Sequence, residues 1–225
     1  MGTIKLLHGT DHIIEVPNIN IGNPHNDYGR GFYCTENLEL AKEWACSQDS
    51  DGYANQYVLN LEGLNILYLN EPRYNILNWL AILLENRRFS VAEGLPQEAR
   101  KYILETFLPE YKSCDIIKGY RADDSYFTYA RDFISNTLSL QDLKQAMMLG
   151  KLGEQVVLKS ERAFDAITKG EVFQADRNEY YAKYSERDRV ARENYKEISS
   201  HAFSTDEIYV IDLIRGGIKN GDSRL

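Results

Sequence analysis

The segment Asn26-Asp27-Tyr28-Gly29-Arg30-Gly31-Phe32-Tyr33-Cys34-Thr35 constrains this chain more than any other. Two glycines bracket an arginine and lead directly into adjacent aromatics, the pattern of a turn feeding a short strand over residues 31–35. Successive side chains on a strand face opposite sides, so Phe32 and Tyr33 cannot share a face. One packs inward and the other is available to line a cleft. Taken alone, the segment reads equally as a glycine-rich hairpin with two packed aromatics.

The surrounding pattern supplies context. Residues 3–8 read as a strand that Gly9-Thr10 ends, and residues 12–16 as a second short extended piece stopped by Pro17. Residues 18–30 have loop composition. Thr35-Glu36-Asn37 offers a helix cap, and Leu38, Ala41, Trp44 and Ala45 recur at helical spacing. Strands follow at 56–61, 64–69 and 114–120, and helices at 74–85, 97–107, 125–136 and 140–149. Residues 154–159 are dense in Val and Leu and predict a buried strand. Residues 172–175 form another short strand, and 176–198 a charged helix carrying tyrosines. Residues 207–214 predict a terminal strand. Strands near both ends with helices between them predict one α+β domain over residues 1–225, with helical insertions at about 74–110 and 125–150.

With 225 residues, 43% of them hydrophobic and 27% charged, the chain has the balance of an ordinary globular protein. It has no apolar run of the roughly 18 residues that span a bilayer and no signal-like start, so the expected partners exclude a membrane and the expected location is the cytoplasm. A net charge of −8 argues against a generally electropositive nucleic-acid binder. Cys34, Cys46 and Cys114 are widely spaced and form no CxxC pair, so they read as reduced packing residues with no metal site.

Chemistry-bearing candidates lie beside these elements. His8 precedes Gly9 at a strand end, and a residue without a Cβ lets its backbone amide and carbonyl approach a planar ligand, as a carboxamide requires. Trp44, on the helix after Tyr33, is placed to complete a two-sided aromatic slot, though core packing explains it as readily. Glu154 and Gln155 are strand neighbours, so only one can enter a cleft. Arg121, Asp123 and Asp124 follow the 114–120 strand, where Ser125 or an Asp can cap the next helix. Arg121 could alternatively meet a pyrophosphate, and the two aspartates could position an acceptor. The 176–198 helix reads as a solvated amphipathic helix or as a partner-binding one.

Together, Leu7-His8-Gly9-Thr10, Gly29-Arg30-Gly31-Phe32-Tyr33-Cys34-Thr35 and the Ala41/Trp44 helix resemble the poly(ADP-ribose) polymerase class of ADP-ribosyltransferases. A bacterial family of unassigned function placed in that superfamily is more similar still. It shares His8-Gly9-Thr10, the 26–33 segment, Ala122-Asp123-Asp124 and Gln155-Val156-Val157, over roughly residues 4–165. The resemblance implies an ADP-ribosyltransferase-like split β-sandwich with helical insertions, and NAD as cosubstrate with no metal. It implies that His8 binds ribose hydroxyls, the Gly9 backbone holds the nicotinamide carboxamide and Tyr33 stacks on the nicotinamide ring, with Trp44 over its other face. Thr10, Gly31 and Phe32 complete the NAD-binding set.

The superfamily's third member is an acidic or amide residue on a later strand. Chemistry favours Glu154, because a carboxylate better stabilises a ribosyl cation. Resemblance favours Gln155, and the balance lies with Gln155. Ala41 stands where many of these enzymes carry a serine, which removes one hydrogen bond to the carboxamide. The implied activity is mono-ADP-ribosylation of a macromolecular acceptor by an effector of toxin–antitoxin or anti-phage type, partnered by a small antitoxin protein. NAD hydrolysis, or an inactive NAD- or ADP-ribose-binding module, would use the same residues.

Overall fold

The structure is a computed structural model that describes residues 2–121, 126–149 and 153–225. Among these residues the chain runs β1 (Thr3–Thr10), β2 (Phe32–Cys34), α1 (Leu38–Ala45), β3 (Gly52–Asn60), β4 (Ile66–Tyr68), α2 (Ile76–Asn86) and α3 (Leu95–Phe107). It continues with β5 (Ile116–Tyr120), α4 (Tyr126–Ile134), α5 (Leu140–Ala146), β6 (Glu154–Leu158), α6 (Glu161–Asp165), β7 (Ile167–Ala175), α7 (Arg177–Ser199) and α8 (Val210–Arg215). The fold is α+β, built on two sheets.

The first sheet has the order β1-β3-β7 and is antiparallel throughout. The second has the order β2-β6-β5-β4, antiparallel except for the parallel β4–β5 pair. An isolated bridge joins the sheets: Leu7 N–H donates to the Thr35 carbonyl at 2.8 Å, and Thr35 N–H to the Leu7 carbonyl at 2.9 Å. Leu6, Tyr57 and Leu59 from the first sheet pack on Phe32, Cys34, Ile116, Val156 and Leu158 from the second. The alternate residues Ile117 and Val157 face a separate core with Leu77, Leu80, Ile103, Phe133 and Leu213 from the helices. The second sheet is therefore buried on both faces, which explains the unbroken Val156-Val157-Leu158 run.

Helix α1 begins where the Asn37 side chain accepts from the backbone N–H groups of Glu39 and Leu40. It packs across β1 at Gly9, where an added Cβ would lie 2.0 Å from the Ala41 carbonyl oxygen. Helix α7 buttresses α1 from outside: Arg187 pairs with the buried Glu43, and the Lys42 ammonium donates to the Tyr180 hydroxyl at 3.0 Å. With Tyr180, Ala191, Tyr195 and Ile198 buried, one side of this charged helix is packed rather than solvated.

Three sequence expectations change. Residues 12–16 form no strand and stay irregular, although the Ile14 carbonyl accepts from the Tyr57 hydroxyl at 2.7 Å. Residues 207–214 are not a strand; they hold α8. There Tyr209 N–H donates to Asp212 at 2.9 Å, and Val210 and Leu213 reach the core at helical spacing. The β-branched composition of Tyr-Val-Ile-Asp suggested a strand, but the cap and the i, i+3 burial prevail. The short α6, capped by Ser160, was not anticipated. No helix among the described residues is long and apolar enough to cross a membrane.

Candidate functional site

The register between β2 and β6 fixes which side chains share a face. Tyr33 lies opposite Val157 in this antiparallel pair, and directly opposed residues point the same way. Gln155, two residues from Val157, therefore joins the Tyr33 face, and Glu154 takes the other. A cavity of about 250 Å³ opens on the Tyr33 face, lined by His8, Gly9, Asn26, Asp27, Tyr33, Trp44, Arg87, Arg121 and Gln155. Glu154 lies in a separate groove with Tyr68, Asn70 and Lys118. Its carboxylate accepts from Asn70 and pairs with Lys118 at 3.1 Å.

His8 is held from two sides. Its ring stacks on Phe32, with centroids 4.3 Å apart and 29° between planes. Its Nδ1 lies 2.7 Å from the Tyr33 carbonyl. A carbonyl only accepts, so Nδ1 carries the proton and Nε2 keeps its lone pair. Burial pushes the His8 pKa below its ordinary value, against the opposing effect of the carbonyl, so the neutral acceptor form is the resting one. No hydrogen bond among the described residues engages Nε2.

Gly9 contributes backbone. Leu7 spends its N–H and C=O on Thr35, away from β3. Strand alternation turns the N–H and C=O of Gly9 the same way, on the edge where the cavity lies. Gly9 therefore presents a paired donor and acceptor to the cavity.

The Tyr33 hydroxyl donates to the Gly29 carbonyl at 2.6 Å and accepts from Tyr28 N–H at 3.0 Å. It ties down the turn before its own strand, where Gly29 sits at φ 77°. Burial raises the Tyr33 pKa far above its ordinary value, so it remains a phenol. The ring, rather than the hydroxyl, is what Tyr33 offers the cavity. Trp44 also lines the cavity. The Arg121 guanidinium lies 3.6 Å over the indole, a cation–π contact that covers one of its faces.

Below the ring lies a buried polar network. Gln155, 3% exposed, donates from Nε2 to Asp27 Oδ2 at 3.2 Å and to the Tyr120 carbonyl at 3.3 Å. The Tyr120 carbonyl also accepts from the Tyr28 hydroxyl at 2.6 Å and from Trp79 Nε1 at 3.0 Å. Asp27, 4% exposed, takes the Arg87 guanidinium on its other oxygen at 2.7 Å. Both partners of the Gln155 amide nitrogen are acceptors, which fixes the amide's orientation and leaves Oε1 as the acceptor end.

The cavity thus brings together His8, Gly9, Tyr33, Trp44 and Gln155 from four separated stretches of chain. Besides Glu154 in its separate groove, three other candidates fall outside it. Phe32 is core and reaches the site only as the surface under His8. Thr10 turns its hydroxyl to Asp11 at 3.2 Å. Gly31 serves packing, since a Cβ there would sit 2.6 Å from Val157 Cγ1. Asp123, Asp124 and Ser125 lie outside the described residues. Asp27 and Arg87 belong to the site without having been singled out. The Asn26-Asp27 pair gave a weak local signal, an acidic residue inside a turn entering a buried strand. Nothing local marked Arg87, which is far away in sequence.

Against known protein families, residues 4–168 of the 225 match the model described as "Protein of unknown function (DUF3990)". The chain belongs to this DUF3990 family. No curated protein and no solved structure matches it. The family match covers all nine residues named as lining the cavity, whereas α7 and α8 lie beyond it. A second cavity of about 880 Å³ adjoins the first through Arg87, a wall of both, and is lined also by His25, Arg88 and Arg100. Among the described residues, no three His, Cys, Asp or Glu side chains are grouped so as to hold a metal ion. The three cysteines are free thiols.

Proposed function

We propose that this DUF3990 chain is an NAD-dependent mono-ADP-ribosyltransferase of the poly(ADP-ribose) polymerase-like class, and that its two sheets form that superfamily's split sandwich. The observation that carries the reading is one cavity holding a neutral His acceptor, a free backbone donor–acceptor pair, an aromatic ring and an amide. Each has a counterpart on a nicotinamide riboside. The Gly9 pair matches the carboxamide, the Tyr33 ring matches the pyridinium face, and His8 Nε2 matches a ribose hydroxyl. Gln155 Oε1 matches the ribose 2′-hydroxyl.

Size supports the same division. Small-molecule sites commonly occupy about 300–1,000 Å³, and the 250 Å³ cavity is at the scale of the nicotinamide–ribose end. The larger cavity beyond Arg87, with Arg88 and Arg100, offers room and positive charge for an adenylate.

In the reaction, the bond between the ribose anomeric carbon and the nicotinamide nitrogen breaks. Its electron pair passes to the pyridinium nitrogen, so neutral nicotinamide leaves. The ribosyl cation is captured by a nucleophile on a macromolecular acceptor, whose proton is lost. Holding ring and ribose in fixed orientation lowers the barrier through positioning. A neutral Gln in place of Glu suits single transfer rather than chain elongation. The biological setting in this reading is a cytoplasmic effector restrained by a small antitoxin protein.

The test is nicotinamide release from NAD, with and without a bacterial lysate as acceptor source, using adenine-labelled NAD. Label appearing on macromolecules supports transfer; nicotinamide release without labelling indicates hydrolysis. Measurable NAD binding without release identifies a binding module. His8→Ala and Gln155→Ala are each expected to abolish release in folded protein. Full activity in both would refute the site.

A further inference from the structure

The site described above poses a chemical problem. Cleavage builds positive charge on the ribose, and Gln155 carries none of the opposite sign. A fixed negative charge facing that ribose would stabilise the transition state selectively. Among the described residues one carboxylate lines the cavity, and it is hydrogen-bonded to Gln155 itself: Asp27 Oδ2 accepts from Gln155 Nε2 at 3.2 Å.

Resting on the NAD-cleavage reading, we propose that Asp27 is a positioning residue that works with Gln155 as one unit, in which Asp27 supplies the charge and Gln155 delivers it. Three observations carry this. First, Asp27 is almost fully buried, and a buried carboxylate is costly unless paired. Arg87 meets that requirement from the far side, through Nε at 2.8 Å and a terminal nitrogen at 2.7 Å on Oδ1. Second, Arg87 is directed at Oδ1, so Oδ2 is the oxygen turned to the amide. Third, the Tyr120 carbonyl holds the same Nε2, and Tyr120 is fixed in turn by Tyr28 and Trp79. Two acceptors pulling on one amide nitrogen polarise the amide and increase the negative character of Oε1, the atom the reading sets against the ribose 2′-hydroxyl. The Asp27–Gln155 pair is then the equivalent of one glutamate, with its charge set back by an amide's length and shielded from water.

This arrangement makes the position of the charge exchangeable. Asp27→Asn removes the carboxylate with little change of shape. Asp27→Asn with Gln155→Glu moves it forward by one side chain. Both variants take the carboxylate away from Arg87, so a purely structural role for Asp27 predicts the same defect in each.

The experiment measures kcat and KM for nicotinamide release in wild type, the single variant and the double variant, with thermal unfolding of each. Asp27→Asn is expected to lower kcat on the order of 100-fold, the loss typical of removing one transition-state electrostatic contact, with KM within about threefold. The double variant is expected to recover at least about tenfold of kcat without recovering Tm. An Asp27→Asn enzyme that keeps its kcat overturns the proposal, and so does a folded double variant no faster than the single one.

If Asp27→Asn does not fold, Gln155→Glu alone gives the answer, since it keeps the Asp27–Arg87 pair. Two adjoining carboxyls cannot both ionise freely, so its kcat–pH profile should gain an ionisation step beyond any that wild type shows; a profile superimposable on wild type overturns the proposal. Wild-type protein that releases no nicotinamide overturns the cleavage reading and this proposal together. Active wild type with an equally active Asp27→Asn overturns this proposal alone.

Discussion

Gly9→Ala tests the way strand and helix meet at the cavity. An alanine methyl there would stand 2.0 Å from the Ala41 carbonyl oxygen, 2.9 Å from Ala45 N and 3.0 Å from Ala41 C. All three atoms are α1 backbone, so no side chain can rotate away. Restoring an ordinary carbon–oxygen contact of about 3.3 Å requires the strand and helix to part by about 1 Å. Overpacking costs about 1–3 kcal/mol when side chains can yield, and rigid backbone puts this site at the top of that range, about 3 kcal/mol. For a chain of this size each kcal/mol lowers Tm by about 2–4 °C, giving a fall of about 6–12 °C. Gly2→Ala, with nothing within 4 Å of the added methyl, is the control. Thermal unfolding followed by circular dichroism decides the matter. A Gly9→Ala protein melting within about 2 °C of that control would refute the claim that Gly9 is needed for close packing, whatever its part in ligand binding.

Three further outcomes follow from the geometry. Tyr33→Phe keeps the ring but removes the hydroxyl that joins Gly29 to Tyr28, and urea unfolding should show a loss of about 1–3 kcal/mol; unchanged stability would mean the turn is held otherwise. His8 has a lowered pKa when folded, so below its ordinary value of 6.5 the unfolded chain binds the extra proton and stability falls as pH drops through 6.5. His8→Gln should flatten that slope in denaturant titrations between about pH 5 and 7. Burial lowers the Lys159 pKa to about 8 from 10.5, so between those values the unfolded state again holds more protons and stability contributed at this site rises with pH. Lys159→Met should abolish that rise, and a slope unchanged in the variant would assign it to other groups.

The sequence carried much of the cavity because its parts are local motifs. His8-Gly9 ends one strand, Tyr33 follows a glycine-rich turn, and Trp44 sits on the helix capped next to it. What it could not carry depended on register and on distance. Resemblance tips the choice between Glu154 and Gln155 to the amide, but alternation alone cannot make it until Tyr33 is known to oppose Val157, since period-2 alternation gives two faces without saying which is inward. Arg87 reaches Asp27 from the end of α2, a contact no local pattern announces. The resemblance counts Phe32 in the NAD-binding set, whereas alternation with Tyr33 sends it into the core beneath His8. Residues 207–214 misled through composition: Val and Ile favour strands only weakly, and the Asp212 cap with two core-facing residues outweighs them.

The Leu7–Thr35 bridge has a consequence for any amide that enters the cavity. Two hydrogen bonds join the sheets at that point, and β1 then repeats its donor–acceptor pair one step on, at Gly9, with no strand opposite. A carboxamide seated there would behave as a missing rung, lengthening the ladder between the two halves by one pair of bonds. Such a guest would act as mortar as well as cargo. It should slow amide exchange on both sides of the seam, in β1 and in β2 with Thr35 beyond it, while leaving β7 at the outer margin unaffected.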